Sequence, residues 1–241
     1  SVQHFDEIVV RSMPDDETRI NALISGEVDA ALVRAPQVER VEGQGLSIVS
    51  ELSAVPTTLD LNMSRSEFDN VKVRQAIMYA LDRDAISEGA WGGTCQPSNQ
   101  IFNDNYWAHS EDVGMPYTYD PEKAKQLLAE AGLPNGFTFD FAINPNPAYQ
   151  TNAEIVQSQL ADVGIKSKLT VIDGAEITQR FWRDHDLDAS ILVDAFALDP
   201  AVVIANITGP GGFRNVSGYD NPKINRLAEQ AASVEDREQR K

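Results

Sequence analysis

The sequence has a single cysteine, Cys95, and only three histidines, His4, His109 and His185, in 241 residues. One cysteine excludes an internal disulfide and any CxxC metal or redox pair, and it fits any compartment. No run approaches the roughly 20 apolar residues that a membrane span needs. Basic residues are scarce: 20 Lys and Arg stand against 37 Asp and Glu, a formal net charge of −17. With no basic patch to displace phosphate counterions, nucleic acid is excluded as a partner. The acidic excess reads as a solvated surface that aids solubility. Catalytic signatures are missing too, with no GxSxG, HExxH or GxxxxGK[ST] pattern. The glycine run 209–212 contains Pro210 and does not join a strand directly to a helix, so it does not read as a phosphate cradle. His185 lies among Asp184, Asp186 and Asp188, a mixed polar turn before a strand rather than a metal site. Cys95 has no histidine close in sequence to activate it. No catalytic residue, metal ligand or cofactor is therefore nominated, and the chain reads as a non-enzyme.

What is present is ordinary globular composition, 42% hydrophobic and 24% charged, enough for one large or two modest domains. No signal peptide begins the chain, which reads as a mature or excised piece. The most organised run is 61–86, LNMSRSEFDNVKVRQAIMYALDRDAI. Leu59, Leu61 and Met63 alternate with polar residues as a strand. Asp69 is the expected N-cap of a helix with Val73, Ile77, Ala80 and Leu81 on one face, and Asp82 or Asp84 that of a second. Before it, strands are expected at 8–11, 29–33 and 46–49. Between them lie a helix capped by Asp15 or Asp16, with Ile20, Leu23 and Ile24 inward, and a short helix at 36–41. This is the strand–helix rhythm of α/β layers.

After it, 89–119 is a long irregular segment carrying Trp91, Phe102, Tyr106 and Trp107, and long ordered loops are often functional. Asp120-Pro121 pairs an N-cap with proline at the first helical position. A helix follows with Ala124, Leu127, Leu128 and Ala131 buried. Strands are expected at 137–143, 165–172 and 187–193, the last central and buried, and helices at 152–163 and 176–182. Residues 194–219 read as a loop-rich region. Asn221-Pro222 starts a last helix with Ile224, Leu227, Ala228 and Ala231 inward, and 235–241 is a charged run with no packing partner.

Five runs in order resemble solute-binding protein family 5, the peptide- and nickel-class substrate-binding proteins of ABC importers. They are DETRINALISGEVDA, LNMSRSEFDNVKVRQAIMYALDRDAI, YDPEKAKQLLAEAGLPNGF, AEIVQSQLADVGIKSKL and GYDNPKINRLAEQAASVEDREQR, which together span 15–240. The resemblance implies an α/β fold of the periplasmic-binding-protein type II, with two lobes and a ligand cleft between them. It implies that 1–58 is the C-terminal part of lobe I, with a crossing near Leu59–Asn62. It implies that 59–241 is most of lobe II, incomplete at its C-terminal end. The implied function is capture of a small solute or peptide and delivery to the subunits of a membrane permease. The implied state is a monomer in the periplasm or on the outer face of the cytoplasmic membrane, lipid-anchored through a missing N-terminus. A sensory or chaperone-like interaction module on the same fold is the alternative.

The same resemblance nominates site residues. The segment Asp194-Ala-Phe196-Ala-Leu-Asp199-Pro200 matches the loop after a central lobe II strand. In peptide-binding members an aspartate four residues before that proline pairs with the ligand's α-ammonium group, and here that position is Phe196. Phenylalanine stacks on a cation or an apolar ring but does not neutralise an ammonium. Asp194, two residues earlier, is the substitute if the loop path shifts. This disfavours ordinary di- and tripeptides and leaves open a peptide without that anchor, an oligosaccharide, an opine-like compound or a metal chelate. Tyr106 and Trp107 are expected near the cleft, as ligand platforms or as packing against the lobe. Asn62 at the crossing either touches ligand or fixes the hinge. Arg214 and Asn215 either touch ligand or hold the glycine loop.

Overall fold

The computed structural model describes residues 5–50, 56–193 and 199–241. The chain divides into two compact units, Ser1–Glu51 and Leu52–Lys241.

The first unit carries α1 (Asp16–Ile24), a 3-10 turn (Ala35–Gln37) and α2 (Val38–Glu42). Asp15 caps α1: its Oδ1 accepts from the Thr18 amide at 2.8 Å and the Thr18 hydroxyl at 2.7 Å. These bonds hold its carboxyl below the usual range. Polar ties organise the unit. Arg19 donates to Asp16 and to the carbonyls of Leu32 and Met13, and Arg40 to Glu17 and Asn21. The strands expected at 8–11, 29–33 and 46–49 do not form, and none of the unit's described residues is in a ladder. Alternation gives a segment the means to pair, but a strand also needs a partner backbone. Here Val10 and Val49 are each 90% exposed.

Among its described residues the second unit holds one four-stranded sheet, in the order β1-β4-β2-β3. Its chain order is β1 (Thr57–Leu61), α3 (Ser66–Asp69), α4 (Val71–Ala80), α5 (Arg83–Trp91), α6 (Pro121–Glu130), β2 (Thr138–Ile143) and α7 (Pro147–Asp162). Then come β3 (Lys166–Val171), α8 (Gly174–Ile177), β4 (Ala189–Val193), α9 (Pro200–Thr208), α10 (Pro222–Ser233) and α11 (Arg237–Arg240). β1 runs antiparallel to β4, with Thr57 opposite Val193 and Leu61 opposite Ala189. β2 is parallel to both β3 and β4.

The two-residue period of the strands separates two cores. On one face Phe139, Phe141, Ile143, Ala189 and Ile191 meet Val73 and Ile77 of α4, Leu128 of α6 and Leu160 of α7. On the other, Ala142 and Leu192 meet Ile177, Phe181, Leu187 and Val216. Ser190 on β4 is fully buried, and its hydroxyl bonds the Ala142 carbonyl at 2.8 Å. Just before β2 and β3, Gly136 and Gly164 both have positive φ, +71° and +91°, and their backbones touch. A Cβ on Gly136 would lie 1.8 Å from the Gly164 carbonyl oxygen.

Several local expectations need correction. Asn70, not Asp69, caps α4, because Asp69 closes α3. Asp82 caps α5. α7 starts five residues before the expected 152, at Asn146-Pro147, another N-cap with proline after it. The helix expected at 176–182 begins at Gly174 and widens into a π turn over Thr178–Arg183. Within the loop-rich region 194–219, Asp199-Pro200 opens a helix that the sequence reading did not name, α9, by the same device. Leu227 on α10 is 54% exposed rather than inward. The charged end has packing partners, described below.

Candidate functional site

Because β2, β3 and β4 are parallel, their carboxyl ends share one edge of the sheet. From β2 the chain moves outward to β3, then returns across β2 to β4, so the order reverses between β2 and β4. Open α/β sheets bind ligands at such reversals, outside the carboxyl ends of the strands. Three connections leave this edge, and two of them flank the reversal. One is Asn144–Asn146, where Asn146 caps α7. The other follows Val193 and re-enters the described structure at Asp199. Phe196 and Asp194 lie in that second connection, outside the described residues.

Its far end is tied down. Asp199 Oδ1 accepts from the Ala201 amide at 2.9 Å, as the α9 cap, and from Arg240 Nη2 at 2.6 Å. The Arg240 hydrogen bond holds the Asp199 carboxyl below its usual range. Arg240 reaches across from α11, which Asp236 caps through the Gln239 amide at 2.9 Å. The guanidinium groups of Arg237 and Arg240 lie over the Trp107 ring, 5.5 and 5.3 Å from its centroid. So the charged end of the sequence is packed, because i,i+3 spacing on a helical turn puts both arginines on one side. Tyr106 stacks on Phe102 at 5.2 Å and tilts against Trp107 at 6.0 Å.

Asn62, Arg214 and Asn215 occupy a different place, around the end of β1 and the glycine loop. The Asn62 side chain is fully buried. Its amide donates to the carbonyls of His185 (3.2 Å) and Leu187 (3.1 Å), and its oxygen accepts from the Ser64 amide and hydroxyl. That uses both donors and both acceptor positions. Asn62 is therefore a latch between β1 and the turn before β4, and no part of it is left for a ligand. Asn215 is similarly engaged, donating to the carbonyls of Gly209 (2.9 Å) and Tyr219 (2.6 Å) and accepting from the Tyr219 amide. It holds the glycine loop closed.

Arg214 lies 4.6 Å over the Trp182 ring. Burial lowers its pKa, opposed by the charge of Asp60 on β1, whose own carboxyl burial pushes up. An open recess of about 460 Å³ adjoins this cluster, lined by Trp182, His185, Phe213, Tyr219 and the glycine loop. It lies toward the amino end of β4, since His185 precedes that strand and Ser217 bonds the Met63 amide past the end of β1. The nominated residues therefore do not form one constellation. Trp107 is linked through Arg240 to the β4–α9 connection, while Asn62, Arg214 and Asn215 lie toward the strand's other end.

Sequence reasoning missed the Asp199–Arg240–Trp107 tie and the Asp60–Arg214 pair. For the α9 start at Asp199, though not for its tie to Arg240, there was a signal: Asp199-Pro200 repeats the cap seen at Asp120-Pro121 and Asn221-Pro222, and a mostly apolar nine-residue run begins at that proline. For Asp60 the alternation of β1 between Leu59 and Leu61 placed it on the opposite face, but nothing local named Arg214. Cys95 is half-buried and its thiol pKa is raised by burial, opposite to the shift of an activated nucleophile.

Comparison with known proteins now adds the family. Residues 1–214 match the model described as "Bacterial extracellular solute-binding proteins, family 5 Middle". Heme-binding protein A of Haemophilus influenzae is 31% identical over 98% of this chain and 44% of its own length. Glutathione-binding protein GsiB of Escherichia coli K12 is 29% identical over 96% of this chain and 47% of its own. The periplasmic binding protein DppA of Helicobacter pylori, solved with the peptide STSA, superposes with a TM-score of 0.80. It is 27% identical, over 95% of this chain and 46% of that one. The chain thus spans about half the length of the curated relatives it matches. The fold is that of the type II periplasmic binding proteins, and the chain belongs to family 5 of the bacterial extracellular solute-binding proteins.

Proposed function

We infer that this chain is part of an extracytoplasmic substrate-binding protein of an ABC importer, which captures a small solute between two lobes and delivers it to a membrane permease. The observation that carries this reading is the family match across residues 1–214. The strand reversal between β2 and β4 supports it by supplying an edge of the kind on which open sheets place ligands. In this reading residues 1–58 belong to lobe I and 59–241 to lobe II. Capture is a population shift, in which ligand touching both lobes stabilises the closed form. The protein works as a monomer in the periplasm or at the outer face of the membrane, held there by a lipid anchor, and performs no chemistry on its ligand.

Relatives named for heme, glutathione and peptide show one scaffold carrying unlike ligands. The ligand class therefore has to be argued from the connection after β4. Phe196 in place of an ammonium-pairing aspartate favours a ligand that does not depend on a free α-ammonium group. Calorimetry on the full-length protein, with matched peptide pools carrying free and acetylated amines, tests this. The reading predicts that acetylation leaves any binding unchanged. Tight binding that vanishes on acetylation would overturn the argument from Phe196.

A further inference from the structure

We propose that the recess beside the glycine loop, toward the amino end of β4, is a second binding site, and that it takes a small organic cation: a primary ammonium group carried on a ring-sized apolar body. The site lies wholly within the second unit and does not depend on the import reading. Its volume of about 460 Å³ falls within the span of small-molecule sites, about 300–1,000 Å³.

The walls are held in place by their own contacts. On one side Trp182 lies in the π turn, and His185 follows with φ +54°, uncommon for a residue with a Cβ. The His185 carbonyl accepts from the Asn62 amide at 3.2 Å, and its ring Nε2 lies 3.1 Å from the Trp182 carbonyl. On the other side the glycine loop is seated on α9. The Phe213 amide donates to Asn206 Oδ1 at 2.9 Å, and the Arg214 amide to the Asn206 carbonyl at 3.2 Å. A Cβ on Gly212 would lie 2.3 Å from that carbonyl oxygen, so glycine is what lets the loop come this close. The Trp182 and Phe213 rings, one from each side, meet edge to face at 5.6 Å. Walls fixed in this way need not be ordered at the moment of binding.

The lining sets the chemistry of the ligand. Trp182 Nε1 is buried, so this residue offers the recess ring carbon rather than a donor. The amide donors of Asn215 are spent on the Gly209 and Tyr219 carbonyls. Acceptors remain. Asp220 accepts from Asn225 through Oδ1 at 2.7 Å, which leaves Oδ2. At His185 the contact with a carbonyl assigns the proton to Nε2 and leaves Nδ1 as an acceptor in the neutral ring. None of the residues that line the recess is Lys or Arg. The ring of Trp182 already carries one cation, Arg214 at 4.6 Å, whose charge Asp60 counters. Aromatic carbon beside acceptors, on a chain of net charge −17, suits a cation with N–H donors and an apolar body.

Calorimetry on the full-length protein with tryptamine, tryptophol and indole-3-propionate tests this. The three share an indole on two methylenes and differ in the end group: ammonium, hydroxyl or carboxylate. Expected are saturable binding of tryptamine, about tenfold weaker binding of tryptophol, and none of the propionate. Asp220→Asn removes the charge and keeps an oxygen for Asn225. It should weaken tryptamine about fivefold and leave tryptophol within about twofold. Phe213→Ala, at a side chain 45% exposed, should weaken both. Both positions lie at the surface, so the melting temperature of each variant should stay near that of the parent. No saturable tryptamine binding, equal affinity for the three probes, or tryptamine affinity unchanged in either variant would overturn the proposal. Each of those results leaves the import reading standing, since that rests on the family match.

Discussion

Residues 8–11 and 189–193 carry the same kind of signal, short runs of Ile, Leu and Val, and end in opposite states. In the second unit β4 is enclosed between β1 and β2, with Ala189 fully buried and Ile191 2% exposed. In the first unit Ile8, Val9 and Val10 are 76%, 68% and 90% exposed, and none of them pairs. The contrast shows what a β signal is. Residue type and alternation describe a backbone ready to pair, whereas the ladder is a property of two segments. The helices differ less between the units, because an α-helix satisfies its own backbone and needs only a cap and one covered face. Asp15 caps α1 in the first unit just as Asp120 caps α6 in the second.

Substitutions can break or sharpen this contrast. The largest effect belongs to Phe141→Ala, which empties a fully buried site on β2 and should cost about 3–5 kcal/mol in urea unfolding. Val10→Ala should stay within about 0.5 kcal/mol of the parent by scanning calorimetry. A comparable loss at both positions would erase the distinction between the units. Next comes glycine. Gly136→Ala forces a Cβ into the Gly164 backbone at positive φ and should destabilise by about 2–3 kcal/mol. Gly26→Ala, with positive φ but open space around it, should lose only about 1 kcal/mol. Equal losses at the two glycines would mean that the backbone contact contributes nothing.

Smaller still is Asn146→Ala, which removes the α7 cap at the sheet's carboxyl edge and should cost about 1 kcal/mol in the same urea assay. The smallest effect is a pH dependence. Asp199 titrates below its ordinary 3.8 in the folded chain, chiefly through its hydrogen bond from Arg240. Its contribution is therefore complete above that ordinary value and disappears as pH falls through the folded value. The stability gap between the parent and Arg240→Met should be flat at neutral pH and shrink on acidification below 3.8. A gap that widened there would have the wrong sign.

Much of the second unit was legible in its sequence, for stated reasons. Caps with proline after them mark helix starts, and the Phe137, Phe139, Phe141 alternation marks a strand with one buried side. The ring centroids of those neighbours lie 6.1 and 6.2 Å apart. α9 escaped because glycine and proline after Thr208 coloured the whole of 194–219, although Asp199-Pro200 held the same starting signal as α6. The site was legible mainly through family resemblance. No periodicity in 235–241 could announce that Arg237 and Arg240 would meet Trp107, more than a hundred residues earlier. Asn62 illustrates the converse. Its position at the end of β1 was readable, but its saturation by His185, Leu187 and Ser64 is a tertiary fact.

The central claim is capture by closure of two lobes, and small-angle X-ray scattering of the full-length protein addresses it most directly. Hemin, glutathione and Ser-Thr-Ser-Ala would each be added at concentrations that calorimetry shows to be saturating. The account predicts that the bound probe lowers the radius of gyration, as the lobes shut around it. Saturated binding with an unchanged radius would contradict it.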